Sequence, residues 1–383
     1  MPASKVLFLF WILLILSGCS SKARQYEAPS AALYTKAAFP GYGKIRYWED
    51  RPTIYVDDTA KRLRVNHDLA RRVDVLALSG GAEDGAYGAG FLKGWSKRGG
   101  RPEFTLVTGI STGALIAPFA FLGSEYDDVI KRLYTETSQK NIFFLTPFNA
   151  LTGGASVADT DPLKKILKEE IDSAFVAKLA LEGAKGRILH IGTTNLDAQR
   201  PVVWDITRIA QSGRKDAPEL IRKIMLASSS IPGAFPPVLI DVEIEGKRYQ
   251  EMHVDGGVTR QLFVYPNDLN VRRFEKLLKI RPQKNFWLIR NTKIDPVYDA
   301  VPLSLSDIAQ RSMSTLIKYQ GRSDLSNISF LAKRDGFALH ITNVPSDFDM
   351  PLKEMFDREY MNALYNVGYE AGRSSNGWTK SLQ

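Results

Sequence analysis

The sequence predicts an α/β fold in which helices cover a mainly parallel central sheet. Short apolar runs at residues 73–78 and 104–108 have the length of buried strands. Each run is followed by glycines and then by a longer segment, 86–97 or 112–122, whose apolar residues recur at helical spacing. Repetition of strand, turn and helix along a chain is typical of parallel sheets that are covered on both faces.

The same reasoning assigns the rest of the chain in order. Further elements are expected as follows: a helical stretch between 126 and 181, strand 187–193, helix 218–229, strand 248–254, a basic helix at 271–279, strand 286–289, and helices at 306–319 and 352–372 that cover the sheet. The basic face of the helix at 271–279 suits either solvent or anionic lipid headgroups.

The N-terminus has the pattern of an export signal. Lys5 precedes eleven apolar residues, 6–16, which would rise only ~16 Å as a helix, too short for a bilayer core of ~30 Å. We therefore expect a signal peptide at 1–18. The sequence Leu16-Ser17-Gly18-Cys19 resembles a bacterial lipoprotein signal, which implies that Cys19 is acylated, whereas a cleaved signal without lipid is the alternative. Ser20 after the cysteine is usual in lipoproteins of the outer membrane, so we expect a lipid-anchored protein of the cell envelope.

Composition restricts the classes of partner and cofactor. Cys19 is the only cysteine among 383 residues, so the chain forms no intramolecular disulfide. The net charge is +9, which in an exported protein suits anionic membrane surfaces rather than nucleic acid. We expect neither a metal nor another cofactor. The expected organisation behind the signal is a tether and extension at 19–72, a main domain at 73–268, and a C-terminal extension at 269–383 that packs on the main domain.

Gly109-Ile110-Ser111-Thr112-Gly113 joins the second predicted strand to its helix. A serine between two such glycines on a tight strand-to-helix turn forms a nucleophile elbow, in which its hydroxyl projects from the turn. Gly109 and Gly113 are expected because a Cβ at either place would crowd the turn. The alternative is a glycine-rich turn in which Ser111 has no chemical role.

A second glycine-rich loop, residues 79–90, follows the first predicted strand. Such a loop presents backbone N–H groups to an anion, which could be a nucleotide phosphate, a dinucleotide pyrophosphate or the oxyanion of acyl transfer. No Gly-Lys-Ser/Thr follows, which argues against a nucleotide phosphate, and free dinucleotides are not expected outside the cytoplasm. The nearby Ser111 favours an oxyanion, with Gly80, Gly81 and Ala82 as donors and Gly85 as a motif glycine.

A serine nucleophile needs a base. His67 lies in the irregular N-terminal stretch, and His190 and His340 lie in apolar, strand-like runs typical of structural histidines. His253 is the one histidine close to another candidate, Asp255, which is followed by Gly256 and Gly257. The residues alone leave three alternatives open: His253 is the base, Asp255 is the base, or Asp255 only initiates a turn.

Taken in order, these motifs resemble the patatin-like phospholipase family. The resemblance covers residues from about 73 to 265 and includes the stretch 224–238, similar to the family's Ala-Ser-x-x-x-Pro-x-x-Phe-Pro-Pro, and the segment 188–204. It implies a three-layer fold and a Ser–Asp dyad of Ser111 and Asp255 that hydrolyses lipid esters as a phospholipase A or lysophospholipase. A non-lipid esterase with the same dyad, or a catalytically weak lipid-binding protein, remains the alternative.

The chain departs from the family pattern in the oxyanion loop. The family usually has Gly-Gly-Gly-x-Arg/Lys-Gly, whereas this chain has Ala82 at the third glycine and Asp84 at the basic position, next to Glu83. We expect Ala82 to be tolerated if its φ is negative. We expect Glu83 and Asp84 either to point to solvent or to weaken stabilisation of the oxyanion.

Overall fold

A computed structural model describes residues 24–51, 71–146, 155–269, 271, 275–276 and 281–380. Nine strands in this part of the chain form one sheet, with the order β1-β7-β6-β3-β2-β10-β11, while β9 pairs with β6 and β8 pairs with β9. The strands are β1 (Arg46–Trp48), β2 (Arg72–Leu78), β3 (Leu106–Gly109), β4 (Phe144–Leu145), β5 (Ala158–Asp159), β6 (Ile188–Asn195), β7 (Arg200–Asp205), β8 (Val238–Ile244), β9 (Lys247–Asp255), β10 (Gln283–Arg290) and β11 (Ala338–Asn343). β4 and β5 form a separate two-stranded sheet.

Helices cover both faces of the larger sheet. In the described residues they are α1 (Gly85–Arg98), α2 (Thr112–Leu122), α3 (Asp127–Thr135), α4 (Gln139–Ile142), α5 (Asp161–Glu170), α6 (Ser173–Ala184), α7 (Ile206–Gln211), α8 (Ala217–Ser228), α9 (Leu305–Asp335) and α10 (Arg358–Arg373). Side chains alternate along β2, so that Leu76 and Leu78 join one apolar cluster while Val75 and Ala77 join another. The sheet is therefore the middle of three layers.

The predicted α/β fold is confirmed. The strands β2, β3, β6, β10 and β11 are mutually parallel, and they form the centre and one edge of the sheet. The two predicted strand–turn–helix units are β2–α1 and β3–α2, and their bounds differ from the expected ones by at most two residues. Strands β7 and β8 were not predicted, and both lie in antiparallel hairpins with β6 and β9.

The C-terminal third of the chain contributes strands to the main sheet. Its strand β10 pairs in parallel with both β2 and β11, so it is an internal strand of the main sheet. From the N-terminal extension, β1 pairs with β7 at the other edge. Both segments therefore extend the hydrogen-bonded sheet of the main domain, and β10 contains the strand that was predicted at 286–289. The predicted basic helix at 271–279 lies largely outside the described residues.

Helix α9 is longer than the predicted helix at 306–319, and only part of it covers the sheet. Its Gly321 lies against the guanidinium of Arg290 at the carboxyl end of β10. The carbonyl of Asp335 at its other end accepts a hydrogen bond from Lys284, near the start of β10. The helix thus runs antiparallel to β10, and residues 305–320 extend beyond the carboxyl edge of the sheet. The prediction that this segment covers the sheet is wrong.

No helix within the described ranges is both long enough and apolar enough to cross a membrane.

Candidate active site

Ser111 lies on a strained turn between β3 and α2. Its φ is +54° and its ψ is −124°, a conformation that L-residues rarely adopt and that is common at functional sites. A Cβ added to Gly109 would lie 2.5 Å from the carbonyl oxygen of Gly113, and one added to Gly113 would lie 2.3 Å from that of Leu78. Both glycines are thus required by close backbone approach, as the elbow pattern predicts.

Ser228, at the end of α8, holds this turn from the opposite side. Its hydroxyl accepts a hydrogen bond from the Ser111 N–H at 3.0 Å and donates one to the Gly192 carbonyl at 2.7 Å. Sequence reasoning missed this role, although Ser228 lies within the Ala-Ser motif that supports the family resemblance. The Ser111 amide is therefore occupied, and the donors for an oxyanion must come from elsewhere.

Asp255 ends β9 and lies in the interior, only 5% exposed. β9 pairs with β6 so that Asp255 is opposite Thr193, and its carboxylate accepts a hydrogen bond from the Gly257 N–H at 2.6 Å. Burial raises the pKa of Asp255 to about 7, although the Ser111 hydroxyl beside it and the Gly257 amide act in the opposite direction. The fold thus places the predicted nucleophile and the predicted base side by side.

The glycines after Asp255 also lie in tight surroundings. A Cβ on Gly256 would lie 2.6 Å from the Gly192 carbonyl oxygen, and one on Gly257 would lie 2.9 Å from Oδ1 of Asp255. Side chains at these positions would therefore push β6 away or displace the carboxylate.

His253 belongs to the core rather than to the site. Its Nδ1 is 2.9 Å from the hydroxyl of Thr193, its Nε2 is 3.1 Å from a carboxylate oxygen of Glu251, and burial lowers its pKa. Both ring nitrogens are occupied, so neither is available to accept a proton from Ser111. His190 is also buried, and His340 stacks on Trp287 with ring centroids 3.8 Å apart. His67 lies outside the described residues.

The glycine-rich loop lies directly beside the elbow. A Cβ on Gly85 would lie 2.1 Å from the Thr112 hydroxyl oxygen, and one on Gly80 would lie 3.2 Å from the Cβ of Ser111. The Gly80 N–H donates to the Gln261 carbonyl at 3.3 Å, whereas the amides of Gly81 and Ala82 make no hydrogen bond within the described part of the chain. Of the three amides that were expected to bind an oxyanion, those of Gly81 and Ala82 are therefore free to do so.

Ala82 does not have the negative φ that we expected. Its φ is +47°, and it follows Gly81 with φ +153°. Such a conformation costs a residue with a Cβ on the order of 1–2 kcal/mol relative to glycine. Asn291, which follows β10, donates a hydrogen bond to the Ser79 carbonyl of this loop at 2.8 Å, and its own carbonyl oxygen would lie 2.3 Å from a Cβ on Gly81. Ala82 therefore adopts a strained backbone conformation, which the surrounding fold stabilises.

Glu83 and Asp84 are half-buried, which excludes the first of the two expected alternatives, that both point to solvent. A carboxylate oxygen of Asp84 accepts a hydrogen bond from the Tyr360 hydroxyl of α10 at 2.6 Å. Burial raises the pKa of Asp84 to about 7, and Glu83 adds to this effect while Lys293 and Lys318 oppose it. Burial also raises the pKa of Glu83. Near neutral pH the loop is consequently less negative than its sequence implies.

Replacing Asp84 by asparagine should test the effect of this charge. Asp84 is neutral below about pH 7 and charged above it, so its charge should oppose an oxyanion only at alkaline pH. We expect the ratio of kcat/KM in Asp84→Asn to that in the wild type to rise from about one at acidic pH to roughly tenfold at alkaline pH. Ester hydrolysis measured across the pH range, with Tyr360→Phe as a matched control for the lost hydrogen bond, gives this ratio. A ratio that does not change with pH would contradict the prediction.

An apolar cavity extends from Ser111 between the helices on one face of the sheet. The cavity is partly open to solvent. Its wall is formed mainly by aliphatic and aromatic side chains, among them Leu115, Phe119, Leu133, Ile142, Leu163, Ile166, Leu167, Ile231, Phe235, Phe356 and Met361. Ser111 and Ala82 both line it, so the candidate nucleophile and one free amide face the same apolar space.

This chain is similar to a curated protein and to a solved structure. A cUMP-AMP-activated phospholipase of Escherichia coli is 33% identical over 144 residues, which cover 37% of this chain and 40% of that protein. The chain therefore matches less than half the length of this relative. The crystal structure of VipD from Legionella pneumophila has a TM-score of 0.34 at 15% identity, over 78% of this chain and 66% of VipD.

The sequence model of the patatin-like phospholipase family matches residues 76–267, half of the chain. The matched range contains the glycine-rich loop, Ser111, Ser228 and Asp255. The site described above and the family's sequence pattern thus coincide, and the chain belongs to the patatin-like phospholipase family.

Proposed function

We propose that this protein is a lipid acyl hydrolase of the phospholipase A or lysophospholipase type. The observation that carries the proposal is the position of Ser111, which lines an apolar cavity and lies beside the buried carboxyl of Asp255. An apolar cavity of this kind suits an acyl chain, and a serine next to a base is the arrangement that acyl transfer requires.

In the first half of the reaction, the Ser111 hydroxyl attacks the ester carbonyl while Asp255 accepts its proton. The carbonyl oxygen gains the negative charge and is bound by the N–H groups of Gly81 and Ala82. The tetrahedral intermediate then collapses, and the bond to the leaving alcohol breaks. Asp255 returns the proton to that alcohol, which leaves an acyl group on Ser111.

In the second half, water attacks the acyl-enzyme and Asp255 accepts its proton. The oxyanion forms again at the same amides and collapses to release a fatty acid, and the proton returns to the Ser111 oxygen. A general base is most effective when its pKa is near the working pH. The pKa of Asp255, raised to about 7 by burial, meets this condition near neutral pH.

We further propose that the protein is anchored to the bacterial envelope, in the outer membrane, through an acylated Cys19. The support is the lipoprotein-like signal, and the anchor would hold the enzyme at its substrate, the membrane lipids. Cys19 lies outside the described residues, so this proposal rests on sequence alone.

A catalytically weak, envelope-anchored lipid-binding protein is the second candidate, and one observation favours it. The loop that would bind the oxyanion contains Glu83, Asp84 and a strained Ala82 in place of the family's cation and third glycine. A binding protein would keep the apolar cavity and have no need of the oxyanion site.

Product analysis tests the proposal and separates the candidates. The protein is incubated with vesicles of phosphatidylethanolamine and phosphatidylglycerol, and in parallel with lysophospholipid and with a soluble short-chain nitrophenyl ester. We expect free fatty acid and the deacylated lipid, detected by mass spectrometry. Turnover of the soluble ester without turnover of either lipid would instead indicate a non-lipid esterase. Binding to lipid with no turnover of any substrate would indicate the binding protein.

A further inference from the structure

Residues 305–320, the overhanging half of α9, leave the body of the protein at the edge that carries the site. Gly321 lies at the carboxyl end of β10, and Ser111, which follows β3, and Asp255, which pairs with Thr193 near the carboxyl end of β6, lie at the same edge. The sixteen overhanging residues are about 24 Å long at the rise of an α-helix. The next turns of α9 pack on the sheet through Leu325 and Ile328.

The overhanging half has its apolar side toward solvent. Leu305 is 88% exposed and Leu316 is 67% exposed, and Ile308, Met313 and Tyr319 are also exposed on the same side of the helix. An ordinary surface helix buries this side and exposes its polar one. The loop before the helix extends the surface, since Tyr298 and Leu303 are almost fully exposed. We call residues 297–320 the apolar overhang.

The polar side of the apolar overhang is the one that contacts the protein. The Lys318 ammonium donates to the Asp295 carbonyl at 2.8 Å, in the segment before the overhang, and within the overhang the Arg311 guanidinium donates to the Val297 carbonyl. These contacts fix the helix with its apolar side outward. A contiguous exposed apolar surface of this kind marks a site of interaction with a membrane or another protein.

The base of the overhang contacts the site directly. The Gln320 side chain donates to the Val258 carbonyl at 3.2 Å, three residues after Asp255. The Gln320 side chain also accepts a hydrogen bond from the Gln261 side chain at 3.4 Å. The Gln261 carbonyl in turn accepts a hydrogen bond from the Gly80 N–H. The apolar overhang therefore begins beside the glycine-rich loop and the turn after Asp255.

The start of the described chain lies at the same edge. The Arg24 guanidinium donates to Asp197 at 3.0 Å, in the turn that follows the carboxyl end of β6. Cys19 is five residues earlier in the sequence, a stretch that spans at most about 18 Å. A lipid on Cys19 would thus attach the protein by the edge that carries Ser111 and the overhang.

We propose that the apolar overhang inserts into the interfacial region of a bilayer that contains anionic phospholipid, and that it turns the opening of the site toward that bilayer. This inference rests on the proposed function, because it names the surface through which the enzyme meets its substrate. Amphipathic helices bind in this way, with apolar side chains at the acyl boundary and cations near the headgroups.

Charge favours anionic lipid over a second protein molecule as the occupant. Lys293, Arg311, Lys318 and Arg322 lie along this stretch together with Asp295, Asp299 and Asp307, so residues 293–322 have a net charge of +1, and the chain as a whole has a net charge of +9. Burial lowers the pKa of Lys318, and the cations Arg290, Lys293 and Arg311 lower it further, while Asp295 raises it. A protein with a net positive charge attracts anionic headgroups and repels a second copy of itself.

A fluorescent label on the overhang tests the inference. Replacing Cys19 by serine removes the only cysteine of the full chain, so Leu316→Cys then gives one site for an environment-sensitive nitrobenzoxadiazole label. Leu181→Cys is the matched control, because Leu181 is 64% exposed but lies on α6 near the opposite edge of the sheet. Both labelled proteins are mixed with vesicles of equal parts phosphatidylethanolamine and phosphatidylglycerol.

We expect the label at 316 to brighten several-fold, shift to the blue and be quenched by doxyl lipid, while the label at 181 does not change. Equal responses at both positions, or no response at 316 in vesicle-bound protein, would overturn the inference. The inference would also be overturned if the label at 316 brightened with protein concentration in the absence of vesicles. That result would show that a second copy of the protein covers this surface. An equal response on phosphatidylcholine vesicles would refute the preference for anionic lipid.

Activity provides an independent measurement. The double variant Leu305→Gln and Leu316→Gln should lose about tenfold in vesicle hydrolysis for each leucine, because each loses its apolar contact with the bilayer. Hydrolysis of a soluble short-chain ester should not change, and the control Leu181→Gln and Phe330→Gln should retain both activities. Equal loss on both substrates would count against the inference. Absence of all hydrolysis in the wild type would refute the proposed function, while the label at 316 would still decide the membrane contact.

Discussion

Replacing Ser111 by alanine is expected to lower kcat for ester hydrolysis by about 10⁶-fold and to abolish labelling by a fluorophosphonate probe. The reason is that alanine removes the only atom that can form the acyl-enzyme, whereas the fold should tolerate the change. The strained φ of +54° is available to alanine as readily as to serine, and the Ser111 N–H bond to Ser228 is a backbone contact that the variant keeps.

Ser229→Ala is the matched control for this prediction. Ser229 is also buried and also lines the cavity, but its hydroxyl donates to the carbonyls of Met225 and Ser111 at 3.1 and 3.3 Å. We expect Ser229→Ala to keep the label and to lose less than about tenfold in rate, since a neutral hydrogen bond contributes roughly 1 kcal/mol. Labelling of Ser111→Ala at the wild-type rate would show that another residue is the nucleophile.

Asp255→Asn is expected to lower kcat/KM by about 10⁴-fold, as removal of the proton acceptor does in serine hydrolases. The substitution is nearly isosteric, and the amide oxygen of asparagine can still accept the Gly257 N–H. The loss should therefore lie in the chemical step rather than in the fold. Steady-state kinetics on a soluble ester, with thermal unfolding of both proteins for comparison, separates these two effects.

The pH profile identifies the base independently of the size of the loss. Because Asp255 must be ionised to accept a proton, wild-type kcat/KM should fall about tenfold per pH unit below about pH 7, the pKa to which burial raises this carboxyl. Asp255→Asn should lack this acidic limb. His253→Gln should retain it, because the imidazole is occupied by Thr193 and Glu251 in the core. Loss of the limb in His253→Gln, with its retention in Asp255→Asn, would assign the base to the histidine.

The features that sequence reasoning predicted correctly are local in the chain. The strand–turn–helix units depend on hydrophobic periodicity over a few residues, and the elbow depends on glycines two positions either side of Ser111. Strand β8 was missed because Asp241 and Glu243 interrupt its apolar run. Strand β7 is almost entirely buried, but it has only three apolar residues in a row, between Pro201 and Asp205, which is too short a run for a clear strand signal.

The site itself was predictable only in part. The family resemblance named Ser111 and Asp255, but three details depend on contacts that are distant in sequence. The Gly80 amide is occupied by the carbonyl of Gln261, and the charge of Asp84 depends on its burial against Tyr360. Ser228 gave no signal of its own, because a serine near the end of a helix has no periodicity that marks it as a support for another turn.

The sequence by itself determined the fold class and the strand–turn–helix units β2–α1 and β3–α2, because strand and helix periods and glycine turns are properties of short segments. With the family resemblance it also predicted Ser111 and Asp255 as the residues that carry the chemistry. Only the tertiary structure decided which amides are free, that the carboxyls of Asp84 and Asp255 have a pKa of about 7, and which side of α9 faces outward. The physical reason is that desolvation, hydrogen-bond occupancy and exposure are set by neighbours that the chain brings together from far apart.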